Sequence, residues 1–236
     1  AGNDETYNFI KNILEEVTEI FPSEYIHIGG DECPKNSWKK CPKCQAKIKE
    51  LGIKGDDKPS AEEYLQSHII TYAEQVLASK NRRIIGWDEI LEGGLAPNAT
   101  VMSWRGISGA IEAAKSNHDA IMTPMSFCYF DFYQTDKVDN EPLAIGGYVP
   151  VERVYSFNPY PDALTPDQQK HILGVQANIW TEYMKTFKHV EYMALPRYAA
   201  LAEVQWHNPK DAKNYSAFLK RLLRLINIYQ LEGYNY

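Results

Sequence analysis

"YIHIGGDECP", residues 25–34, is the stretch that decides the fold. "YIHI" has the length and character of a short buried strand. Two glycines follow it, and then two carboxylates side by side, Asp31 and Glu32. Like charges on adjacent residues cost energy if both face into a pocket. A chain that places them at the mouth of a strand needs a chemical reason to do so. The glycines are expected to clear the space around the pair and to let a ligand approach the backbone.

The same grammar repeats outward from this stretch. Residues 4–20, "DETYNFIKNILEEVTEI", read as an amphipathic helix with acids in its first turn. Residues 61–79 read as a long helix and "RRIIGW" as a strand, with a short helix after Asp88. "ATVMSW" is a third strand, followed by a helix near 107–116, and "DAIMTP" is a fourth. Residues 125–170, rich in Tyr, Pro, Asp and Asn, read as loop with short helices. "ILGVQANIW" is the fifth strand, and helices near 189–204 and 212–231 close the chain.

Strand–helix alternation with short apolar strands means parallel pairing. Each strand ends in, or just before, a polar or aromatic cluster: "GGDE", "GWDE", "SWRG", "CYFDF" and "NIWTEY". A TIM-type (β/α)8 barrel puts its active site at the carboxyl ends of its strands. An open doubly wound sheet concentrates its chemistry at one switch point. Contributions from every strand favour the barrel. No G-x-G-x-x-G follows a strand and no P-loop is present, so nucleotide binding has little support.

Bulk properties narrow the function classes. With 236 residues, 44% of them hydrophobic, the chain can build a real core. Net charge is −6 with both signs interspersed, and no basic stripe suggests nucleic acid. No apolar run has the length of a membrane span. A large core accounts for most of the sixteen Tyr, eight Phe and five Trp, yet several sit beside glycines and acids at segment ends, which is unusual for core filling. Aromatic faces beside carboxylates suit sugar rings, which stack through C–H groups while their hydroxyls need hydrogen bonds.

"HIGGDE" at 27–32 resembles the His-x-Gly-Gly-Asp-Glu signature of family 20 glycoside hydrolases, the β-N-acetylhexosaminidases. "GWDE" at 86–89, "SWRG" at 103–106, Tyr129 and Asp131 in "YFD", "WTE" at 180–182 and the closing "GYNY" look like that family's segments in the same order. Most glycosidases flank the scissile bond with two carboxylates about 5–10 Å apart, and this family is a substrate-assisted exception. The resemblance implies a retaining exo-β-N-acetylhexosaminidase acting on terminal β-linked GlcNAc or GalNAc. The substrate's own acetamido oxygen would attack the anomeric carbon, giving an oxazolinium intermediate. It implies Glu32 as general acid and then base. Asp31 would accept a hydrogen bond from the acetamido N–H, and Tyr129 would donate one to its carbonyl. Trp87, Trp104 and Trp180 would wall the acetamido methyl and carry the ring, while Asp131 and Glu182 would hold hydroxyls. Arg105 would brace the site, and Asp88 and Glu89 would support it or cap a helix. His27 shares the strand parity of Asp31 and is read as a satisfied core histidine. The implied reaction needs no cofactor and no metal.

Cys33, Cys41 and Cys44 are spaced C-x7-C-x2-C, with Cys128 far along the chain. The C-P-K-C pair fits zinc, a disulfide or free thiols. A fourth zinc ligand is not evident nearby, and thiols or a disulfide are the milder reading. "NAT" at 98 and "NYS" at 214 are weak glycosylation signals.

The family's barrel has eight strands and its Asp-Glu pair ends the fourth, so about strands 4 to 8 are expected here. Residues 1–236 then read as the C-terminal portion of a (β/α)8 catalytic domain, without the family's substrate-binding Arg near strand one. Such a piece is expected to cover its open edges with a second copy of itself or with a complementary N-terminal fragment. The expected partner in function is a carbohydrate, with neither nucleic acid nor a membrane span, and the expected location is secreted, periplasmic or lysosomal. Two alternatives remain: an inactive carbohydrate-binding fragment, or a barrel glycosidase with a protein nucleophile.

Overall fold

The computed structural model describes residues 1–207 and 211–236. Five strands make one sheet whose order follows chain order: β1 (Tyr25–His27), β2 (Arg83–Trp87), β3 (Thr100–Ser103), β4 (Ala120–Met122) and β5 (Ile172–Val175). This is the α/β strand–helix repeat of a TIM-type barrel, with five of its strands. The chain divides into two compact units, Ala1–Ser103 with Ser108–Ala120, and Trp104–Ile107 with Ile121–Tyr236. Among the described residues no helix is long and apolar enough to cross a membrane.

In the first unit, β1 pairs with β2 in parallel, Ile26 opposite Ile84, and β2 with β3, Gly86 opposite Val101. Ile84, Val101 and Thr100 are fully buried, as strands covered on both faces require. The ladder runs beyond β1: Ile28 N–H donates to the Ile85 carbonyl, and Trp87 N–H to the Gly29 carbonyl. Helices α1 (Asp4–Ile20) and α4 (Ala61–Ala78) pack on each other, and α4 also packs on β2. Ser60 and Glu63 form a reciprocal capping box that starts α4. Helices α2 (Asn36–Lys40) and α3 (Pro42–Glu50) fill a stretch for which the sequence had suggested no element. Their apolar positions are few and interrupted by lysines, so periodicity alone does not reveal them. The short helix after Trp87 is a 3-10 turn, Asp88–Leu91. Helix α5 (Ser108–Lys115) follows β3, and the Ala110 N–H donates to Ser103 Oγ.

In the second unit, Gln176 N–H donates to the Met122 carbonyl beside β4 and β5. The loop-rich stretch carries α6 (Met125–Cys128), α7 (Val151–Ser156) and α8 (Pro166–Gln169), with a 3-10 turn at Val138–Asn140. The expected single helix near 189–204 is two, α9 (Phe187–Ala194) and α10 (Arg197–Trp206), because Pro196 cannot continue a hydrogen-bonded turn. Helix α11 (Tyr215–Glu232) ends on Gly233 at φ +72°, a left-handed cap that glycine adopts without strain.

Candidate active site

The first unit carries the acid pair. Beyond β1 the chain turns through positive φ at Gly29 (+74°), Gly30 (+103°) and Glu32 (+47°). The left-handed region is uncommon for a side-chain-bearing residue and costs energy, so Glu32 is held there by its surroundings. Those surroundings come from two other elements. A Cβ on Gly30 would lie 2.6 Å from Ile90 Cγ2, and one on Gly86 would meet the same atom at 2.6 Å. Ile90, buried on the 3-10 turn, fills the space both glycines leave. Gln66, buried on α4, donates its Nε2 to the Gly30 carbonyl at 3.0 Å. The expectation that Gly30 clears room for a ligand is therefore corrected: its missing side chain makes room for Ile90. Asp31 and Glu32 are both exposed. Water screens their mutual repulsion there, which makes adjacent like charges tolerable.

His27 is not a core histidine. It is exposed, its ring lies 4.7 Å from that of Trp87, and its Nδ1 accepts the Gly29 N–H at 3.1 Å. Packing on one side lowers its pKa, the Asp31 charge opposing. The accepting Nδ1 places the ring hydrogen on Nε2 in the neutral form. Trp87 itself is 8% exposed. Asp88 and Glu89 sit in the first turn of the 3-10 helix, both buried. Ser103 Oγ lies 3.5 Å from Asp88 Oδ2, and Gly109 on α5 packs against the Asp88 side chain. Asp88 thus ties the Trp87 turn to β3 and α5.

The second unit gathers Trp104, Tyr129, Asp131, Trp180 and Glu182. The Trp104 carbonyl accepts the Met125 N–H at 2.8 Å, and the indole stacks on Tyr129 with centroids 6.1 Å apart. Tyr129 is 7% exposed and bridged in parallel to Asn178, flanked by Asn178 N–H donating to Cys128 and Phe130 N–H donating to Asn178. This extends the β4–β5 pairing past both strands and fixes where Tyr129 stands.

Asp131 is 4% exposed, and its Oδ1 is buried with no hydrogen-bond partner among the described residues. Burial pushes its carboxyl up to about 6, against the backbone N–H groups of Asp131 and Trp180 that hydrogen-bond it; the Glu182 charge adds to the rise. Trp180 and Glu182 are exposed.

Arg197 on α10 gave no signal as part of the site, yet it is fully buried and holds the segment together. Its guanidinium donates to the carbonyls of Phe130, Phe132, Val149 and Met193, and lies over the Phe130 ring. A cation inside an otherwise apolar helix stretch, "LPRYAALA", was the available clue. Gln66 and Asn178 were equally silent, since a single polar residue in a helix or a strand end has no pattern of its own. No group of three or more metal-ligating side chains forms a site among the described residues.

A parallel strand–helix sheet with an acid pair on a strained turn at a strand's carboxyl end, and aromatic and acidic groups past the following strands, defines a TIM-type glycoside hydrolase domain. The catalytic-domain model of glycosyl hydrolase family 20 matches residues 1–209, and the chain belongs to that family. A β-hexosaminidase of Porphyromonas gingivalis is 48% identical over all of this chain, which covers 30% of that relative. One from Vibrio furnissii is 37% identical over 84% of the chain and 32% of the relative. The chain thus spans about a third of the length of these curated relatives. Among solved structures, the GH20 exo-β-N-acetylglucosaminidase of Vibrio harveyi in complex with N-acetylglucosamine superposes with a TM-score of 0.85 at 29% identity, covering 100% of this chain and 36% of that one. The β-N-acetylhexosaminidase of Bacteroides fragilis gives 0.80 at 28%, covering 99% and 46%.

Proposed function

We propose that this chain carries the catalytic groups of a retaining exo-β-N-acetylhexosaminidase, releasing terminal β-linked GlcNAc or GalNAc from glycans. The observation that carries the reading is the Asp31–Glu32 pair on the turn that Ile90 and Gln66 hold. Neighbouring residues on one turn are ill placed to flank a glycosidic bond as acid and protein nucleophile. They suit a division of labour on one side of it. The 48% identity to a β-hexosaminidase over the whole chain supports the same activity.

In this mechanism the acetamido oxygen of the substrate attacks the anomeric carbon. The bond to the leaving oxygen breaks as Glu32 gives that oxygen its proton. Asp31 accepts a hydrogen bond from the acetamido N–H and balances the positive charge that grows there. Tyr129 donates its hydroxyl to the acetamido carbonyl oxygen and aims it. Water then adds to the anomeric carbon of the oxazolinium, giving its proton to Glu32, with net retention. Trp87, Trp104 and Trp180 supply apolar faces for the acetamido methyl and the ring. Asp131 and Glu182 accept sugar hydroxyls, and the buried Oδ1 of Asp131 has no hydrogen-bond partner of its own among the described residues. The test is release of p-nitrophenol from the β-GlcNAc and β-GalNAc glycosides by the protein carrying this sequence. Retention read by NMR and loss of turnover in Glu32→Gln are expected, and inversion of configuration would overturn the mechanism.

A further inference from the structure

The "CPKC" segment, Cys41 to Cys44, has no part in the sugar chemistry, and its two thiols stand in unequal environments. Cys41 is the N-cap of α3, in extended conformation (φ −82°, ψ 116°), with Pro42 as first helical residue. Cys44, one turn on, is 3% exposed and belongs to an apolar cluster with Ile48 and Leu65, against which Trp38 and Cys41 pack. The backbone N–H of Cys44, then its thiol, then the Lys43 N–H hydrogen-bond the Cys41 sulfur, and they hold the Cys41 thiol below its ordinary pKa against partial desolvation. Cys41 is only half-buried, so one sulfur is reachable and the other is shielded. Residues three apart on a helix bring their Cβ atoms within about 5–6 Å. A disulfide wants about 3.5–4.5 Å, a distance that a small rotation at the non-helical N-cap closes. All four cysteines are thiols, and Cys128, fully buried, is pushed up to about 12 by desolvation. The contrast inside one molecule separates an inert thiol from a poised one.

We propose that Cys41 and Cys44 form a reversible dithiol–disulfide couple, Cys41 attacking and Cys44 resolving, with a low-molecular-weight disulfide as the oxidant. The Cys41 thiolate attacks one sulfur of the oxidant, whose S–S bond breaks, and one thiolate leaves and takes up a proton. The Cys44 thiol then loses its proton and attacks the Cys41 sulfur of the mixed disulfide. The second half of the oxidant leaves as a thiol. Two electrons pass from the pair to the oxidant, and the chain loses two hydrogens.

The experiment is a redox titration of the reduced full chain in glutathione buffers, quenched in acid, alkylated under denaturing conditions and mapped by peptide mass. Cys41 and Cys44 are expected to lose alkylation together, with one internal bond and two hydrogens gone, while Cys33 and Cys128 stay alkylated. Cys44→Ser should trap a stable glutathione adduct at Cys41. Cys41→Ser should slow adduct formation at Cys44 by at least ~10-fold relative to that rate. Full alkylation of both residues in the most oxidising buffer overturns the proposal. So does a bond to Cys33 or Cys128, or an adduct that forms faster at Cys44 than at Cys41.

Discussion

A Cβ on Gly30 would stand 2.6 Å from Ile90 Cγ2, so these two residues are complementary halves of one contact. The turn that carries Asp31 and Glu32 thus packs closely on the buried Ile90. Ile90→Ala is expected to destabilise the fold by about 2–5 kcal/mol, the usual range for emptying a packed aliphatic site. It should also lower kcat more than it raises KM, because Glu32 loses its enforced backbone geometry. Urea unfolding and steady-state kinetics on the same samples check both. A large stability loss with kcat untouched would show that Ile90 does not position the turn.

Glu32→Gln should reduce kcat by at least ~10²-fold on a poor leaving group, the scale of general acid–base catalysis. A good leaving group needs less protonic help, so glycosylation of a dinitrophenyl substrate should suffer less. Pre-steady-state burst measurements on the two substrates separate the steps. An equal loss on both would remove Glu32 from the acid role.

Asp31→Asn and Tyr129→Phe should damage turnover more than ground-state binding, since their contacts strengthen as the acetamido group becomes the nucleophile. A thiazoline analogue of the cyclised intermediate should bind the unaltered protein tightly and both variants more weakly. Unchanged inhibition in both would argue for a protein nucleophile.

Asp131 makes stability depend on pH with a definite sign. Its folded pKa, about 6, lies above the ordinary aspartate value of 3.8 from which burial raises it. The neutral buried carboxyl therefore stabilises the fold fully below about pH 4, and that contribution is lost as pH rises through 6. The change is on the order of 3 kcal/mol. Melting temperatures of the wild type and Asp131→Asn between pH 4 and 7 should converge at the acid end and diverge above 6. Parallel curves would mean that Asp131 ionises as freely as an exposed acid.

The sequence by itself determined the helix at Asp4–Ile20, the five strands and their parallel sense, because hydrophobic periodicity and strand length are local properties. It also determined the family, since "HIGGDE", "GWDE", "SWRG", "YFD" and "WTE" stand in order along one chain. Only the tertiary structure decided what holds these motifs in place. His27 is exposed, as Asp31 is, and its ring leans on Trp87, a contact that strand parity cannot foresee. Gly30 reads as room for a ligand until Ile90, distant from it in sequence, is seen to fill the space that both it and Gly86 leave. Gln66, Asn178 and Arg197 act through backbone groups they meet across long loops. Such partners share no local signal, because a hydrogen bond or a packed contact depends on where the folded chain brings its atoms, and spacing along the sequence does not encode that.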